Sequence, residues 1–406
     1  MVSKYDLFYV IARKGETTIP EILLSLKKSK GDYQLIFNHV LELEKDKYVK
    51  RNKKIKIAHN DKTKKLFQVI SFCVANKINY NIFLKKDMSN FLYKVSQKEF
   101  FTIKDVKINP RTFQLYTSDL ERYGFLLIIS KKPFRGKLLR HHFIKNVLEI
   151  FGKKVNFYTR QKKEYTDEIK KEYMRYKRNL ETQYASAEDA QEETHFTYIS
   201  LSLEGNPITL PDTQKILEQE IIPTKYNLLH INEVQNYKKA IDVMIENAKK
   251  KIPLTLELIQ EYHTLARSHI QGAGEIRKQN VVIKGNPHFK TTDWKELPRK
   301  LKDLIHAYEI FQIKKKNIGE IIHFAAFFHN EFQRIHPFID GNSRISRLLL
   351  LHILRQHDLP ILDLPLGYFD EYLDLTKRSK KRDDETFKCL VEEIVLFNLK
   401  KVNRKT

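Results

Sequence analysis

The sequence predicts a mainly helical fold, on three observations. Apolar residues recur at helical spacing along most of its 406 residues. Residues 158–195 hold no Gly or Pro, which suits one long helix. Strand-like runs are short and bracketed by turn residues. The length fits two or three domains. Hydrophobic residues are 41% of the chain, with 25 Phe and 20 Tyr, enough to build cores and exclude a disordered chain. Cys73 and Cys389 are too few for a disulfide framework or a structural zinc site. The longest early apolar run, residues 7–12, is too short for a membrane span, so a cytoplasmic protein without membrane association is expected.

Four segments follow in order: 1–60, 61–150, 151–195 and 196–400. In the first, helices are predicted over 4–13, 18–29 and 33–45. Gly15 ends the first, Thr17 or Thr18 caps the second with Pro20 early in it, and Gly31-Asp32 lead into the third. Residues 48–51 and 55–57 alternate around Asn52-Lys53-Lys54, a hairpin with a basic tip. Three helices and a basic hairpin resemble a winged helix-turn-helix module, in which the third helix enters the major groove. The order repeats with helices at 87–95 and 110–123, a strand at 125–130, a basic turn at 131–137 and a return strand at 138–143. A second such module is therefore expected in 61–150, after a connecting helix.

Charge is concentrated at the front. The chain carries +24, and residues 1–150 hold 31 basic against 14 acidic residues. Such an excess favours a polyanion, so DNA is an expected partner, with protein binding the alternative for these modules. Residues 151–195 read as an exposed linker helix. Beyond 196 the pattern is helical apart from a turn at 272–274 and a strand pair around Val281-Val282-Ile283 and Phe289. Lys284-Gly285-Asn286-Pro287 supplies hairpin-turn chemistry between them. His329 reads as a packed core residue. His141-His142 lacks the partners of a metal site.

The stretch His336-Pro337-Phe338-Ile339-Asp340-Gly341-Asn342-Ser343-Arg344-Ile345-Ser346-Arg347 joins two apolar helices. Backbone N–H groups at Gly341, Asn342 and Ser343 would open the second helix, where unpaired donors and the helix dipole favour an anion. Arg344 and Arg347, three apart, can grip phosphate oxygens from the first turn. Asp340 offers a carboxylate suited to Mg²⁺. His336 can accept a proton near neutrality. Together these describe a phosphate-transfer site.

These residues resemble the Fic signature H-x-F-x-[D/E]-G-N-[G/K]-R-x-x-R at seven of its eight specified positions; Ser343 stands where Gly is usual. The resemblance extends to residues 329–335, to an early core helix at 233–240, and to a flap built from residues 274–277 and 281–285. It implies an all-α Fic core with a β-hairpin flap over about 196–400. It also implies an AMP transferase using Mg²⁺-bound ATP on a Tyr, Ser or Thr hydroxyl of a target protein or of itself. His336 would be the base, and Gly341, Asn342, Ser343, Arg344 and Arg347 would hold the nucleotide. Tyr372 would touch the adenine unless it is core packing. Dimerisation, common in the family, makes a homodimer an expected state.

Ser200-Leu201-Ser202-Leu203-Glu204-Gly205 matches the family's inhibitory motif S-x-x-x-E-G. It implies that Glu204 pairs with Arg347 and obstructs the nucleotide. A regulator that senses nucleotide without transferring it, and an enzyme that removes AMP, are the alternatives.

Overall fold

The computed structural model describes residues 2–158, 163–180, 186–283 and 286–405. It divides into two compact units, Met1–Thr159 and Arg160–Thr406. Helices dominate both.

The first unit opens with α1 (Lys4–Lys14), β1 (Glu16–Thr17), α2 (Ile19–Ser25), α3 (Tyr33–Lys45), β2 (Val49–Arg51) and β3 (Ile55–Ile57). Ser3 and Asp6 form a reciprocal capping box that starts α1, and Gly15 ends it at φ 78°. Leu7, Phe8, Ile11, Ile22, Ile36, Val40 and Leu43 recur at helical spacing and are fully buried. Each contributes roughly 1.5–3 kcal/mol of burial. The strands form an antiparallel sheet in the order β1-β3-β2. The second helix is shorter than predicted: it stops at Ser25, and Lys27 turns left-handed at φ 53°.

The unit continues with α4 (Asp61–Ala75), α5 (Tyr80–Phe83), α6 (Lys86–Ser96), α7 (Pro110–Arg122), β4 (Leu126–Lys131), β5 (Phe134–Leu138) and α8 (His142–Ile150). Phe101 and Gly136 exchange backbone hydrogen bonds of 2.9 and 3.0 Å. Phe101 thus stands beside β5 as β1 stands beside β3. Even the caps repeat: Thr18 with Glu21, and Thr102 with Asp105. The return strand is 134–138, not 138–143. His141 caps α8 by accepting from the Phe143 N–H at 3.0 Å, so the apolar run after it is a helix.

The second unit is built from α9 (Thr166–Leu180), α10 (Ser186–Ser202), α11 (Leu210–Glu218), α12 (Leu228–Lys249), α13 (Leu256–Ala266), α14 (Leu297–Ile313), α15 (Ile318–Ile335), α16 (Asn342–Gln356), α17 (Phe369–Leu375) and α18 (Asp384–Lys405). The pair α15–α16 is central. α12 and α13 pack on α16, and α14 and α18 on α15. The segment expected as an exposed linker is different. Its first helix, α9, lies along α18 with Tyr165 and Ile169 fully buried, and the Tyr165 N–H donates to Glu392 Oε2 at 3.0 Å. Residues 159–162 and 181–185 of that segment lie outside the described residues.

Among the described residues, the predicted hairpin between α13 and α14 reduces to one antiparallel bridge, Ile283–Asn286. Pro287 has no N–H to extend a ladder. Lys284 and Gly285 lie outside the described residues. Among the described residues, no helix is long and apolar enough to cross a membrane. Cys73 and Cys389 are both buried thiols.

Candidate active site

The site grows from the join between α15 and α16. α15 ends at His336, which is left-handed at φ 54°. Arg277 fixes that ending. Its Nε donates to the His336 carbonyl at 2.7 Å, and its Nη2 to the carbonyls of Ile335 and Thr292. A cation at a helix C-terminus satisfies carbonyls that the helix leaves unpaired. The flap base is sewn to the loop at both ends, by the Arg277 N–H to Pro337 O (2.9 Å) and the Thr292 N–H to Arg334 O (3.1 Å).

The His336 ring has a defined tautomer. Nδ1 lies 3.2 Å from the Gln333 carbonyl. A carbonyl only accepts, so Nδ1 carries the proton and Nε2 keeps its lone pair. Burial pushes His336 down to about 4, so it is neutral at pH 7.

Gly341 opens α16 at φ +85°. A Cβ there would meet His263 Nε2 at 3.1 Å and Arg267 Cγ at 3.3 Å, so glycine is required for both backbone and space. His263 braces the loop from behind. Its Nε2–H donates to Asp340 O at 2.8 Å, and its Nδ1 accepts from the Gly274 N–H at 2.7 Å. Burial lowers its pKa to about 4, consistent with one donor and one acceptor nitrogen. Its ring stacks on Phe338 at 3.8 Å.

The expected residues then separate by role. Asn342 does not face a ligand with its amide. It donates to Phe338 O (2.8 Å) and accepts from the Phe338 N–H (2.9 Å), stapling the loop. Ser343 lines a narrow cleft with Gln333, Asn330, Phe289 and Lys377. Arg344 is buried, binding Glu233 Oε1 at 3.0 Å and Asp340 Oδ2 at 3.2 Å. Arg267 holds the same two carboxylates. Burial alone would raise the pKa of Asp340, but the Arg344 and Arg267 guanidinium groups hold it below the usual range. Tyr372 is not in the cleft. It is buried in the core, with its hydroxyl 2.9 Å from His329 Nε2. His329 is fully buried, as a core residue.

Arg347 meets the segment from Ser200 to Glu204. Its Nε donates to Ser200 Oγ (2.6 Å), and its Nη2 to Ser200 O (2.9 Å) and Glu204 Oε1 (2.8 Å). Ser200 Oγ passes its own hydrogen to Tyr237 OH at 2.8 Å. Lys377 Nζ binds the other oxygen of Glu204. Burial would raise the pKa of Glu204; Arg347 and Lys377 outweigh it and hold the carboxyl at about 2. Gly205, at φ +89°, turns the chain just after that carboxylate, three residues beyond the end of α10.

Could this arrangement hold a triphosphate and Mg²⁺? Arg267 Nε, Arg344 Nε and Arg347 Nη1 are buried without a hydrogen-bond partner among the described residues. Such orphaned cationic donors beside a helix N-terminus suit phosphate oxygens. The Asp340 side chain is 58% exposed and is a hard oxygen donor of the kind Mg²⁺ takes alongside nucleotide phosphates. The residues fit both groups.

A profile of the Fic/DOC family matches residues 253–354. That segment is similar to the Fic/DOC domain. It is 27% identical over 207 residues to a protein named protein adenylyltransferase Fic from Drosophila grimshawi, covering 50% of this chain and 42% of that one. The protein of the same name from Drosophila erecta is 28% identical over 207 residues, with 50% and 41% covered. The chain thus matches about two-fifths of each relative's length. The crystal structure of a Fic domain containing signaling protein from Bacteroides thetaiotaomicron superposes with a TM-score of 0.51 at 23% identity. It covers 58% of this chain and 97% of that one, so this Fic fold extends well beyond the profile match.

Sequence reasoning missed Glu233, His263, Arg267, Arg277 and Lys377 as parts of the site. Glu233 opened the resembling core helix and Arg277 closed the resembling flap turn, so those two carried a signal. The others carried none, because nothing local distinguishes them from surface residues.

Proposed function

We propose that this chain transfers AMP from ATP to a Tyr, Ser or Thr hydroxyl of a protein, and that Glu204 holds it in check. The observation that carries the reading is His336: a neutral imidazole with Nε2 unprotonated, beside a helix N-terminus backed by buried arginines. In the proposed reaction, His336 Nε2 takes the proton of the target hydroxyl. The oxygen forms a bond to the α-phosphorus as the bond to the β-phosphate oxygen breaks, and pyrophosphate leaves. The backbone N–H groups of Asn342 and Ser343, with Arg344 and Arg347, grip the phosphates and balance the leaving charge. Mg²⁺, when bound at Asp340, supplies neutralising charge and orients the phosphates. Arg277 and His263 keep the loop in register. The flap would add the target segment beside the loop by strand pairing.

Inhibition follows from competition for cations. While Glu204 occupies Arg347, a phosphate cannot use it. Incubation with labelled ATP and Mg²⁺ tests both parts. E204G should raise labelling and H336A should abolish it; unchanged labelling in both variants refutes the mechanism.

A second reading concerns the front unit. Its repeated topology, β1-β3-β2 and Phe101-β5-β4, supports two winged helices. α7 exposes Arg111, Gln114, Leu115 and Ser118, and the turn between β4 and β5 holds exposed Lys131 and Lys132. We propose that the second module, through α7 and this turn, contacts duplex DNA.

A further inference from the structure

Glu204 is an anion seated between two cations of the fold. Arg347 has a role in the proposed reaction; Lys377 has none so far. Three observations concern Lys377. Its ammonium binds Glu204 Oε2 and donates to the Leu203 carbonyl at 3.1 Å, at the end of the inhibitory segment. It lines the same cleft as Ser343, in the first turn of α16. Its backbone is fixed independently of Glu204. Asn286, buried at the flap tip, gives its amide hydrogens to the carbonyls of Lys377 (2.8 Å) and Ser379 (2.6 Å). The lysine is therefore placed by the flap, and its side chain, 30% exposed, reaches into the cleft.

A carboxylate oxygen and a phosphate oxygen make the same demand on an ammonium or guanidinium group. A cation pair that grips one will grip the other once the first has left. We infer that Lys377 is a further nucleotide-binding residue, which pairs with the terminal phosphate of ATP when Glu204 is displaced. Glu204 is then the intramolecular stand-in for that phosphate. The inference rests on the proposed function and adds a residue to it. It also explains why a single lysine would affect inhibition and binding with opposite sign. With Glu204 present, removing Lys377 loosens the competitor. With Glu204 absent, it removes a phosphate contact.

The test is calorimetric titration of the full chain with ATP, ADP and AMP in Mg²⁺, in both backgrounds. In E204G, adding K377A should weaken ATP about tenfold or more, leave AMP within about twofold, and place ADP at or between these limits. That tenfold corresponds to about 1.4 kcal/mol. K377R should restore most of the ATP affinity, because the charge is kept. In the chain retaining Glu204, K377A should instead strengthen ATP binding. A residue that only supported the fold would shift ATP and AMP together, and in the same direction in both backgrounds; that result overturns the inference. Unchanged ATP affinity on adding K377A to E204G overturns it alone. An E204G chain that binds no ATP overturns it together with the proposed reaction.

Discussion

The two units use positive charge in opposite ways. The front unit wears it: Lys131, Lys132 and Arg111 lie in water, as do the lysines of the β2–β3 turn. The second unit buries it. Arg267, Arg277, Arg344 and Arg347 are each no more than 6% exposed. A solvated charge attracts a polyanion over a distance set by salt. A buried charge must be paired, so it either locks a carboxylate or waits for a ligand. Composition counts both alike, yet only the second kind makes a site for chemistry.

The sharpest way to break that contrast is at His336. H336A should lower AMP transfer by roughly 10³-fold, in line with the ~10²–10⁴ expected for general base catalysis. Its melting temperature should stay near that of the parent, measured by calorimetry. Next is E204G. Labelling should rise on the order of tenfold or more, a coupling of ~1–3 kcal/mol. Removing one partner of a buried ion pair should also cost up to about 3 kcal/mol of stability, recovered on adding ATP. A variant that is more active and equally stable without ATP would mean that the pair carries no stored competition.

G341A comes third. Its φ of +85° and the 3.1 Å approach to His263 predict a loss of ~1–3 kcal/mol and a slower reaction, read by thermal unfolding and labelling. Acid comes fourth. His263 and His336 are held at about 4, against about 6.5 in an unfolded chain. Between these values the unfolded chain binds more protons, so stability of the second unit should fall as pH drops from 6.5 to 4. The kcat/KM of E204G should decline through about pH 4 and stay level from 6 to 8. An acid limb near 6.5 would show that His336 is solvated. The smallest effect belongs to the front unit. K131A/K132A should weaken duplex DNA binding evenly across sequences and reduce the salt slope by about 2, measured by anisotropy. Binding to DNA that ignores salt would sink that reading.

Much of the site was legible because it is local. His336 to Arg347 is one loop and one helix turn, and Gly341, Asp340 and the arginines declare their chemistry through spacing. Ser200 and Glu204 were legible as a short motif. For Tyr372 the sequence leaves an adenine contact and core packing open, because a tyrosine on an amphipathic helix looks the same whether it faces a nucleotide or His329. Asn342 fits a ligand role by position, yet its amide is consumed by Phe338. The second hairpin was misregistered because Leu138, Leu139 and Phe143 suit a strand until His141 is seen capping a helix.

Sequence alone determined the mainly helical class, the candidate loop from His336 to Arg347 and its proposed opponent Glu204, since each depends on neighbours within a few residues. Tertiary structure alone decided which distant groups complete them. Glu233 reaches Arg344 across 111 positions and Lys377 reaches Glu204 across 173. Such pairings follow from how α12, α13 and the segment after α17 pack around α16, and packing depends on the shape of every side chain between them.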